Sequence, residues 1–366
     1  MDETLVSILR GAFEAGASDI HLKSDAPIVF RIDRVLHPVD APVPTQEWLR
    51  SALAGVVPAH LRDRFELEHE VDFAFQLPGL SRFRANVYQQ RGQTTAALRL
   101  VKTQLRTFAE LNLPDTVRKI AEAPRGIVII AGAIGSGKST TLATMLEHIN
   151  VTARKHIVTL EDPIEYIFTD KQAIIDQREV GLDTESFGAG LRHVLRQDPD
   201  VIVIGEMRDA ESATAAMSAA NIGHLVITTL HTGDAAGSVQ RMLEFFPADQ
   251  REYARRLLAA TLHAVVCQRL VRTSEGGIVP AIEILLNNTG VAKLIDSDHP
   301  EKLSSAIQMG GGDGMQTFDQ ALVRLVQEGR ITREIALAHA ANPEGLRMGF
   351  QGVVHSDARR ILSARD

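Results

Sequence analysis

The sequence predicts an α/β protein made of a small N-terminal module and a larger domain built on a mostly parallel sheet. Four short aliphatic runs, at 126–130, 156–160, 201–204 and 225–229, alternate with segments of helical character. This pattern is typical of a parallel sheet covered on both faces. A glycine-rich loop follows the first run. The length of 366 residues exceeds what one hydrophobic core usually organises, so two domains are expected.

The N-terminal α/β module is predicted over residues 1–102. Apolar residues with helical spacing predict an opening helix, and short runs at 20–22 and 28–32 predict two strands. A helical stretch at 48–61 precedes further strands at 71–75 and 82–88, with a last strand-like run ending near Val101. The run at 82–88 alternates most clearly, with apolar side chains on one face and polar side chains, among them Arg84, on the other.

Residues 103–113 have no clear period and are predicted to form a linker. The larger domain is then predicted over 114–366. From about residue 285 the pattern becomes mainly helical, with a break at Gly310, Gly311 and Gly312. We therefore expect a helical C-terminal region at about 285–366.

Composition excludes several classes of protein. The net charge is −7 and no basic stripe is present, which argues against nucleic acid as the main partner. Cys267 is the single cysteine, so an intramolecular disulfide and a multi-cysteine zinc site are excluded. No apolar run approaches the roughly 20 residues that span a bilayer, and the acidic N-terminus does not resemble a signal peptide. A cytosolic protein is expected.

The loop after the first aliphatic run has the pattern G-x-x-x-x-G-K-[ST]. It begins at Gly132 and ends in Gly137, Lys138 and Ser139. A strand precedes it and a helix follows, which is the context of a phosphate-binding loop. Glycines allow successive backbone N–H groups to converge on phosphates, while the lysine supplies a positive charge and the serine an oxygen for Mg²⁺. The loop predicts a nucleotide site.

Polar residues also follow the other three runs of the predicted sheet. They are Glu161, Asp162 and Glu165 after the second run, Glu206 after the third and His231 after the fourth. Each has an ordinary explanation by itself: the first two as turn or helix-capping residues, Glu206 as the first exposed residue after a strand, and His231 as a structural histidine. Ligands of open α/β sheets lie beyond the carboxyl ends of the strands, so we expect these residues to form one site with the loop.

Hydrolysis of a nucleoside triphosphate needs a metal ion on the phosphates and a residue that orients the attacking water. Glu206 is therefore expected near Mg²⁺, and a second acid is expected to position the water. His231 is expected to sense the γ-phosphate.

Further motifs follow the glycine-rich loop in order along the chain. GAIGSGKSTTLATM at 132–145 is followed by TLEDPIEY at 159–166, QREVGLDTESF at 177–187, VIVIGEMRD at 201–209, GHLVITTLHT at 223–232 and GMQTFDQAL at 314–322. On these motifs the chain resembles, over nearly its whole length, the type IV pilus retraction ATPases (PilT/PilU type) within the type II/IV secretion ATPases. TLEDPIEY, VIVIGEMRD and GHLVITTLHT correspond to the Asp box, atypical Walker B strand and His box of that family.

The resemblance implies a RecA-like P-loop NTPase domain with a small N-terminal PAS-like α/β domain and a helical C-terminal extension. It implies that ATP is bound by the loop residues Gly132, Gly135, Ser136, Gly137, Lys138, Ser139 and Thr140. Mg²⁺ would be held by Ser139 and Glu206, with Glu165 as the catalytic glutamate, Glu206 as the Walker B acid and His231 as the His-box residue.

Two arginines of the N-terminal module are also implicated by the resemblance. Arg84 and Arg99 match positions that reach the nucleotide site at a domain or subunit boundary. The strand pattern alone instead favours arginines that solvate an open sheet face. Arginines that reach a transferring phosphoryl group can contribute a factor of about a thousand or more to the rate.

The resemblance implies a cytoplasmic motor, a homo-hexameric ring that hydrolyses ATP to power type IV pilus retraction and twitching motility. Its partners would be an inner-membrane platform protein at the pilus base, through it the pilin fibre, and a paralogous retraction ATPase. Peripheral association with the inner membrane follows from those partners. Nucleic acid is not expected.

Three departures from the family pattern keep alternatives open. Ala133 and Ile134 stand where the family usually has Pro-Thr, and Arg34 replaces a common glycine. Ala292 and Lys293 replace the Arg and Asn of a retraction signature, which favours an accessory PilU-like paralogue as an alternative to an independent retraction motor. A pilus-extension or secretion ATPase is a further alternative, as is a nucleotide-binding scaffold that modulates a partner motor.

Overall fold

The structure is a computed structural model that describes residues 1–32, 35–101 and 105–350. Its internal contacts divide the chain into two compact units. The first comprises Met1–Gln104 with Ile164–Ile167, and the second Leu105–Pro163 with Phe168–Asp366. The division falls inside the predicted linker 103–113, of which residues 103 and 104 lie outside the described residues. The limits of the domains, at 102 and 114, stay a prediction.

The first unit is built on a six-stranded antiparallel sheet in the order β3-β2-β1-β6-β5-β4. The strands are β1 (Asp19–Lys23), β2 (Val29–Ile32), β3 (Val35–Pro38), β4 (Glu70–Leu77), β5 (Ser81–Gln90) and β6 (Gln93–Leu100). Three helices accompany them: α1 (Glu3–Glu14), α2 (Gln46–Ala54) and α3 (Ala59–Glu68).

Most predicted elements of this unit are confirmed, with two differences. The single helix predicted at 48–61 is wrong, because the chain forms α2 and α3 with Pro58 as the residue that precedes α3. Proline lacks a backbone N–H and is tolerated only at the start of a helix, so it separates the two. β3 was not predicted, and all four of its residues are exposed. Arg34 lies outside the described residues.

The alternation predicted for 82–88 is confirmed in β5. Phe83, Ala85 and Val87 are buried in the core of the first unit, and Arg84 lies on the opposite face. The core is completed by apolar residues of α1 and α2, including Leu5 and Leu49. One face of the sheet therefore carries the core and the other carries polar and charged side chains.

The second unit is built on a seven-stranded sheet in the order β13-β12-β7-β11-β10-β8-β9. Its strands are β7 (Gly126–Ala131), β8 (His156–Glu161), β9 (Ile174–Glu179), β10 (Val201–Ile204), β11 (Leu225–Leu230), β12 (Leu262–Arg272) and β13 (Ile278–Leu286). The strands pair in parallel except β12 with β13, which pair antiparallel.

Helices cover both faces of this sheet. Those before β12 are α4 (Asp115–Ala121), α5 (Lys138–Thr152), α6 (Phe187–Val194), α7 (Ala210–Asn221), α8 (Ala235–Glu244) and α9 (Arg251–Thr261). Every residue of β7 is buried, with Ile127 and Ile129 in the core on one face and Val128 and Ile130 in the core on the other. The predicted parallel sheet with two buried faces is confirmed.

The C-terminal region is helical, as predicted. It consists of α10 (Thr289–Asp296), α11 (Leu303–Met309), α12 (Phe318–Gln327), α13 (Arg333–His339) and α14 (Pro343–Phe350), with short 3₁₀ turns at Pro300–Lys302 and Gly310–Asp313. The predicted α/β fold class, a RecA-like P-loop domain with an N-terminal domain and C-terminal helices, is confirmed. None of the helices in the described ranges combines the length and apolarity needed to span a membrane.

Candidate functional site

The glycine-rich loop lies between β7 and α5 and is folded around Lys138. The Nζ of Lys138 donates hydrogen bonds to the carbonyl oxygens of Gly132, at 2.8 Å, and Ala133, at 3.1 Å. Lys138 is only 8% exposed. Its ammonium group is thus held inside the curve of the loop, where a phosphate carried by the loop would meet it.

Gln268 of β12 packs directly beneath the loop. Its Oε1 accepts a hydrogen bond from the Thr141 hydroxyl at 2.7 Å. A Cβ added to Gly132 would lie 2.5 Å from the Gln268 carbonyl oxygen, and one added to Gly137 would lie 2.8 Å from its Nε2. Only glycine allows the loop to come so close. Sequence reasoning missed Gln268, although a polar residue inside an apolar strand is a signal that could have found it.

The start of α5 is suited to bind an anion. Gly137 precedes this 15-residue helix and no side chain caps it, so its first N–H groups and the helix dipole are available to a ligand. The hydroxyl of Ser136 is buried and, within the described residues, has no hydrogen-bond partner. Ser139 and Thr140 stand in the first turn beside it. These groups fit the phosphates of a nucleotide.

Two glycines of the loop provide a matched test of this geometry. In the Gly132→Ala variant the new Cβ would lie 2.5 Å from both the Gln268 carbonyl and the Ser136 hydroxyl, at a φ of +148°. Gly135 has a φ of +78° and open space around it. We expect Gly132→Ala to weaken nucleotide binding at least 100-fold, and Gly135→Ala by roughly 10-fold, from the 1–2 kcal/mol cost of left-handed backbone. Calorimetric titration with ADP would measure both, and equal affinities would contradict this explanation.

His231 connects Lys138 to Glu206. β11 lies between β7 and β10 in the sheet, so the residue that follows β11 stands between the loops that follow its neighbours. The Nδ1 of His231 lies 3.3 Å from Lys138 Nζ, and its Nε2 lies 3.4 Å from Glu206 Oε1. The structure therefore brings three of the predicted site residues together at the carboxyl end of the sheet.

Arg208 extends this cluster and was not predicted. It donates to Glu206 Oε2 at 2.8 Å and to Asp162 Oδ2 at 3.2 Å. The hydrogen bond to Glu206 raises the pKa of Arg208, so the guanidinium remains a cation. It thereby joins the ends of β8 and β10. The motif VIVIGEMRD contains Arg208, but its spacing two residues after Glu206 gave no reason to pair them.

The acids after β8 have different surroundings. Glu161 Oε1 accepts from the Thr159 hydroxyl at 2.7 Å and from Gln177 Nε2 at 3.1 Å, so it is held by its own sheet. Glu165 is exposed between buried Ile164 and Tyr166, in the segment that belongs to the first unit. Within the described residues Glu165 makes no hydrogen bond or ion pair, so the structure does not join it to Lys138 or Glu206. Its catalytic role stays a prediction.

In the first unit, Arg84 and Arg99 are direct cross-strand neighbours on β5 and β6. Arg99 pairs with Asp19 of β1 at 2.8 Å, and Arg31 of β2 lies 3.7 Å from the same carboxylate. Burial raises the pKa of Asp19, but hydrogen bonds from Arg99 and Ser18 outweigh it and leave this pKa below its ordinary value. Arg84 has no hydrogen bond or ion pair with any described residue. Their role at a nucleotide stays a prediction.

The described departures from the family pattern, at 133, 134, 292 and 293, are exposed or half-buried. Ala133 and Ile134 are exposed, Ile134 to 90%, and it is the backbone carbonyl of Ala133 that accepts from Lys138. Lys293 is exposed on α10 and Ala292 is half-buried beside it.

Comparison with known proteins identifies relatives of the whole chain. Residues 1–277 match the family model described as type II/IV secretion system protein. The type IV pilus retraction ATPase PilT of Pseudomonas aeruginosa is 39% identical over 93% of this chain and 99% of its own. The type IV pilus ATPase PilU of the same organism is 40% identical over 97% of this chain and 94% of its own.

Similarity extends to a solved structure. The crystal structure of the pilus retraction motor PilT with bound ADP matches at a TM-score of 0.87 and 41% identity. The match covers 94% of this chain and 98% of that one. Both units and the C-terminal helices therefore belong to a fold that is known in this family.

Proposed function

Because the chain belongs to the type II/IV secretion system protein family, we propose that it is a motor ATPase that hydrolyses ATP to power retraction of type IV pili. The observation that supports this most strongly is the contact chain from Lys138 through His231 to Glu206, at 3.3 and 3.4 Å. It connects a phosphate-binding lysine with a carboxylate at the end of a neighbouring strand. Small shifts at such a site can be amplified into movements of packed units.

Each residue has a defined part in the proposed reaction. The N–H groups at the start of α5 and the Lys138 ammonium bind the phosphates, and the Ser136 hydroxyl donates to one of them. Ser139 and Glu206 would hold Mg²⁺, which supplies neutralisation of phosphate charge when it is bound. Glu165 orients the attacking water and accepts its proton. His231 detects the terminal phosphate through its contact with Lys138.

The proposed assembly is a homo-hexameric ring in which Arg84 and Arg99 act on the nucleotide of a neighbouring subunit. The charges of the first unit support this. Arg84 and Arg99 stand directly opposite each other on β5 and β6, and like charges in that position are unfavourable. An anionic ligand would relieve that repulsion.

The proposed partners are an inner-membrane platform protein at the pilus base and, through it, the pilin fibre. The proposed location is the cytoplasmic side of that membrane, where binding to the platform would hold the ring. The family resemblance supports these assignments.

A second candidate is an accessory motor that works with a paralogous retraction ATPase. PilU is 40% identical to this chain and PilT 39%, so identity does not separate the two. The exposed position of Lys293, where retraction motors carry a different residue, favours the accessory role.

A deletion strain would test the proposed function. Loss of the chain is expected to leave surplus surface pili and no twitching, and the wild-type chain but not Lys138→Gln should restore movement. Loss of pili would instead mean an extension ATPase. Restoration of movement by overproducing a paralogue would identify the accessory role, and unchanged piliation and twitching would contradict both candidates.

A further inference from the structure

Two charged residues at the edge of the second sheet are not explained by the nucleotide site. They are Arg269 on β12 and Glu283 on β13. The antiparallel register pairs Cys267 with Glu283 and Arg269 with Ala281, so Arg269 and Glu283 lie diagonally on the same face of this strand pair. Both reach the loop that carries His231.

Glu283 accepts hydrogen bonds from the first residues of two different helices. The backbone N–H of Ala235, at the start of α8, donates to its Oε1 at 2.8 Å. The backbone N–H of Phe318, at the start of α12, donates to the same carboxylate. Burial raises the pKa of Glu283 above its ordinary value, and these donors only partly offset that rise. A buried carboxylate is costly without such donors, and two helix dipoles favour it here.

Arg269 also contacts both the loop after β11 and the start of α12. Its Nη2 donates to the carbonyl oxygen of Gly233 at 3.0 Å. The guanidinium carbon lies 4.0 Å from the centroid of the Phe318 ring, within the range of a cation–π contact. Its Nη1 lies 3.4 Å from the carbonyl oxygen of His339, at the end of α13. One side chain thus holds the loop after β11 against the C-terminal helices.

We propose that Arg269 and Glu283 form a clamp that positions His231 at the nucleotide site and links this site to the N-terminus of α12. The inference rests on the proposed ATPase function. Only Thr232 separates His231 from the clamped carbonyl of Gly233, so a shift of Gly233 moves the imidazole. The contacts of His231 with Lys138 and Glu206 are already at the long end of the hydrogen-bond range, and a small shift breaks them. Both residues act through His231 and are positioning residues.

Kinetics of the full-length chain test the link to His231. Arg269→Gln should lower kcat for ATP about 10- to 100-fold, the effect of misplacing a catalytic group by about 1 Å, with KM within about 2-fold because the phosphate-binding loop is intact. The Arg269→Gln/His231→Gln double variant should be no slower than His231→Gln alone. Glu283→Gln, which keeps an acceptor for Ala235, should be faster than Glu283→Ala. Multiplicative losses in the double variant would overturn the proposal.

Hydrogen exchange tests the clamp without requiring hydrolysis. Arg269→Gln should raise the exchange rate of amides in 233–238 and 318–322 together, by about 5-fold or more, and leave 138–146 unchanged. Arg241→Gln is the matched control, because Arg241 on α8 makes a cation–π contact at 4.8 Å with Phe245, the residue after this helix, and within the described residues makes no hydrogen bond, ion pair or ring contact with α12. A change confined to one of the two segments would overturn the clamp. If the wild-type chain does not hydrolyse ATP, the proposed function is contradicted. The hydrogen-exchange comparison alone then tests whether Arg269 and Glu283 form the clamp.

Discussion

The Glu165→Gln variant is expected to bind ATP with unchanged affinity and to hydrolyse it about a thousandfold more slowly, within the range observed when a general base is lost. Glutamine keeps the size of the side chain but cannot accept a proton from water. The segment that carries it should stay folded, because buried Ile164 and Tyr166 flank the exposed Glu165. ATP affinity by calorimetry and phosphate release under saturating ATP would measure the two effects separately.

Glu206→Gln provides the comparison that separates the two acids. Glu206 is expected to bind Mg²⁺, so this variant should need a higher Mg²⁺ concentration for half-maximal turnover, whereas Glu165→Gln should not. Glu252→Gln is the control, since Glu252 is exposed and forms an i,i+4 pair with Arg256 on α9. Such pairs contribute about 0.3–0.5 kcal/mol at most, and turnover should stay within about 2-fold. Normal hydrolysis by Glu165→Gln would remove Glu165 from the role of base.

The sequence predicted the parallel centre of the second unit because those strands are buried on both faces. β7, β8, β10 and β11 are continuous aliphatic runs, and their ends mark the site. β12 and its neighbour β13 escaped prediction for a different reason. β12 contains His263, Gln268 and Arg269 among apolar residues, and its pairing with β7 joins residues more than 130 positions apart, as in Leu262 with Ile127. The first feature interrupts the aliphatic run, and the second has no local signature.

In the candidate site, too, some residues could be predicted from the strand pattern and others could not. Residues that end adjacent parallel strands must meet, so the strand pattern was enough to group Lys138, His231 and Glu206. Contacts made by long side chains across the sheet edge have no such pattern, and Arg208 with Asp162 is the clearest case. The polar side chain of Gln268 inside an apolar strand could have marked this residue, but not its partner Thr141, which lies 127 positions away. The strand pattern did not predict the surroundings of Glu165, since its segment belongs to the unit formed by residues 1–104.

Mixing two inactive variants is expected to restore ATP hydrolysis if Arg84 acts on a neighbouring subunit. Lys138→Gln removes the phosphate-binding lysine, and Arg84→Gln removes an arginine whose loss should cost about a thousandfold in rate. Arg84 is the better choice than Arg99, because Arg99 is partly neutralised by Asp19 at 2.8 Å. Each variant alone should therefore be almost inactive.

A mixed ring behaves differently from either parent. In a ring closed by head-to-tail interfaces, each site would take Lys138 from one subunit and Arg84 from the next. Random assembly of equal amounts of the two variants then gives both residues in up to about one quarter of the sites. Native mass spectrometry would first confirm that mixed rings form. Phosphate release by the mixture should then rise to a corresponding fraction of the wild-type rate.

The matched control is a mixture of Lys138→Gln with His231→Gln. Lys138 Nζ and His231 Nδ1 lie 3.3 Å apart in one subunit, so no arrangement of these subunits yields a site with both residues. This mixture should stay inactive, and the contrast with the Arg84 mixture identifies action across subunits rather than mere stabilisation of the ring. Confirmed mixed rings that stay inactive with Arg84→Gln would confine Arg84 to its own subunit. The arginine face of the first unit would then need an anion other than a neighbour's nucleotide.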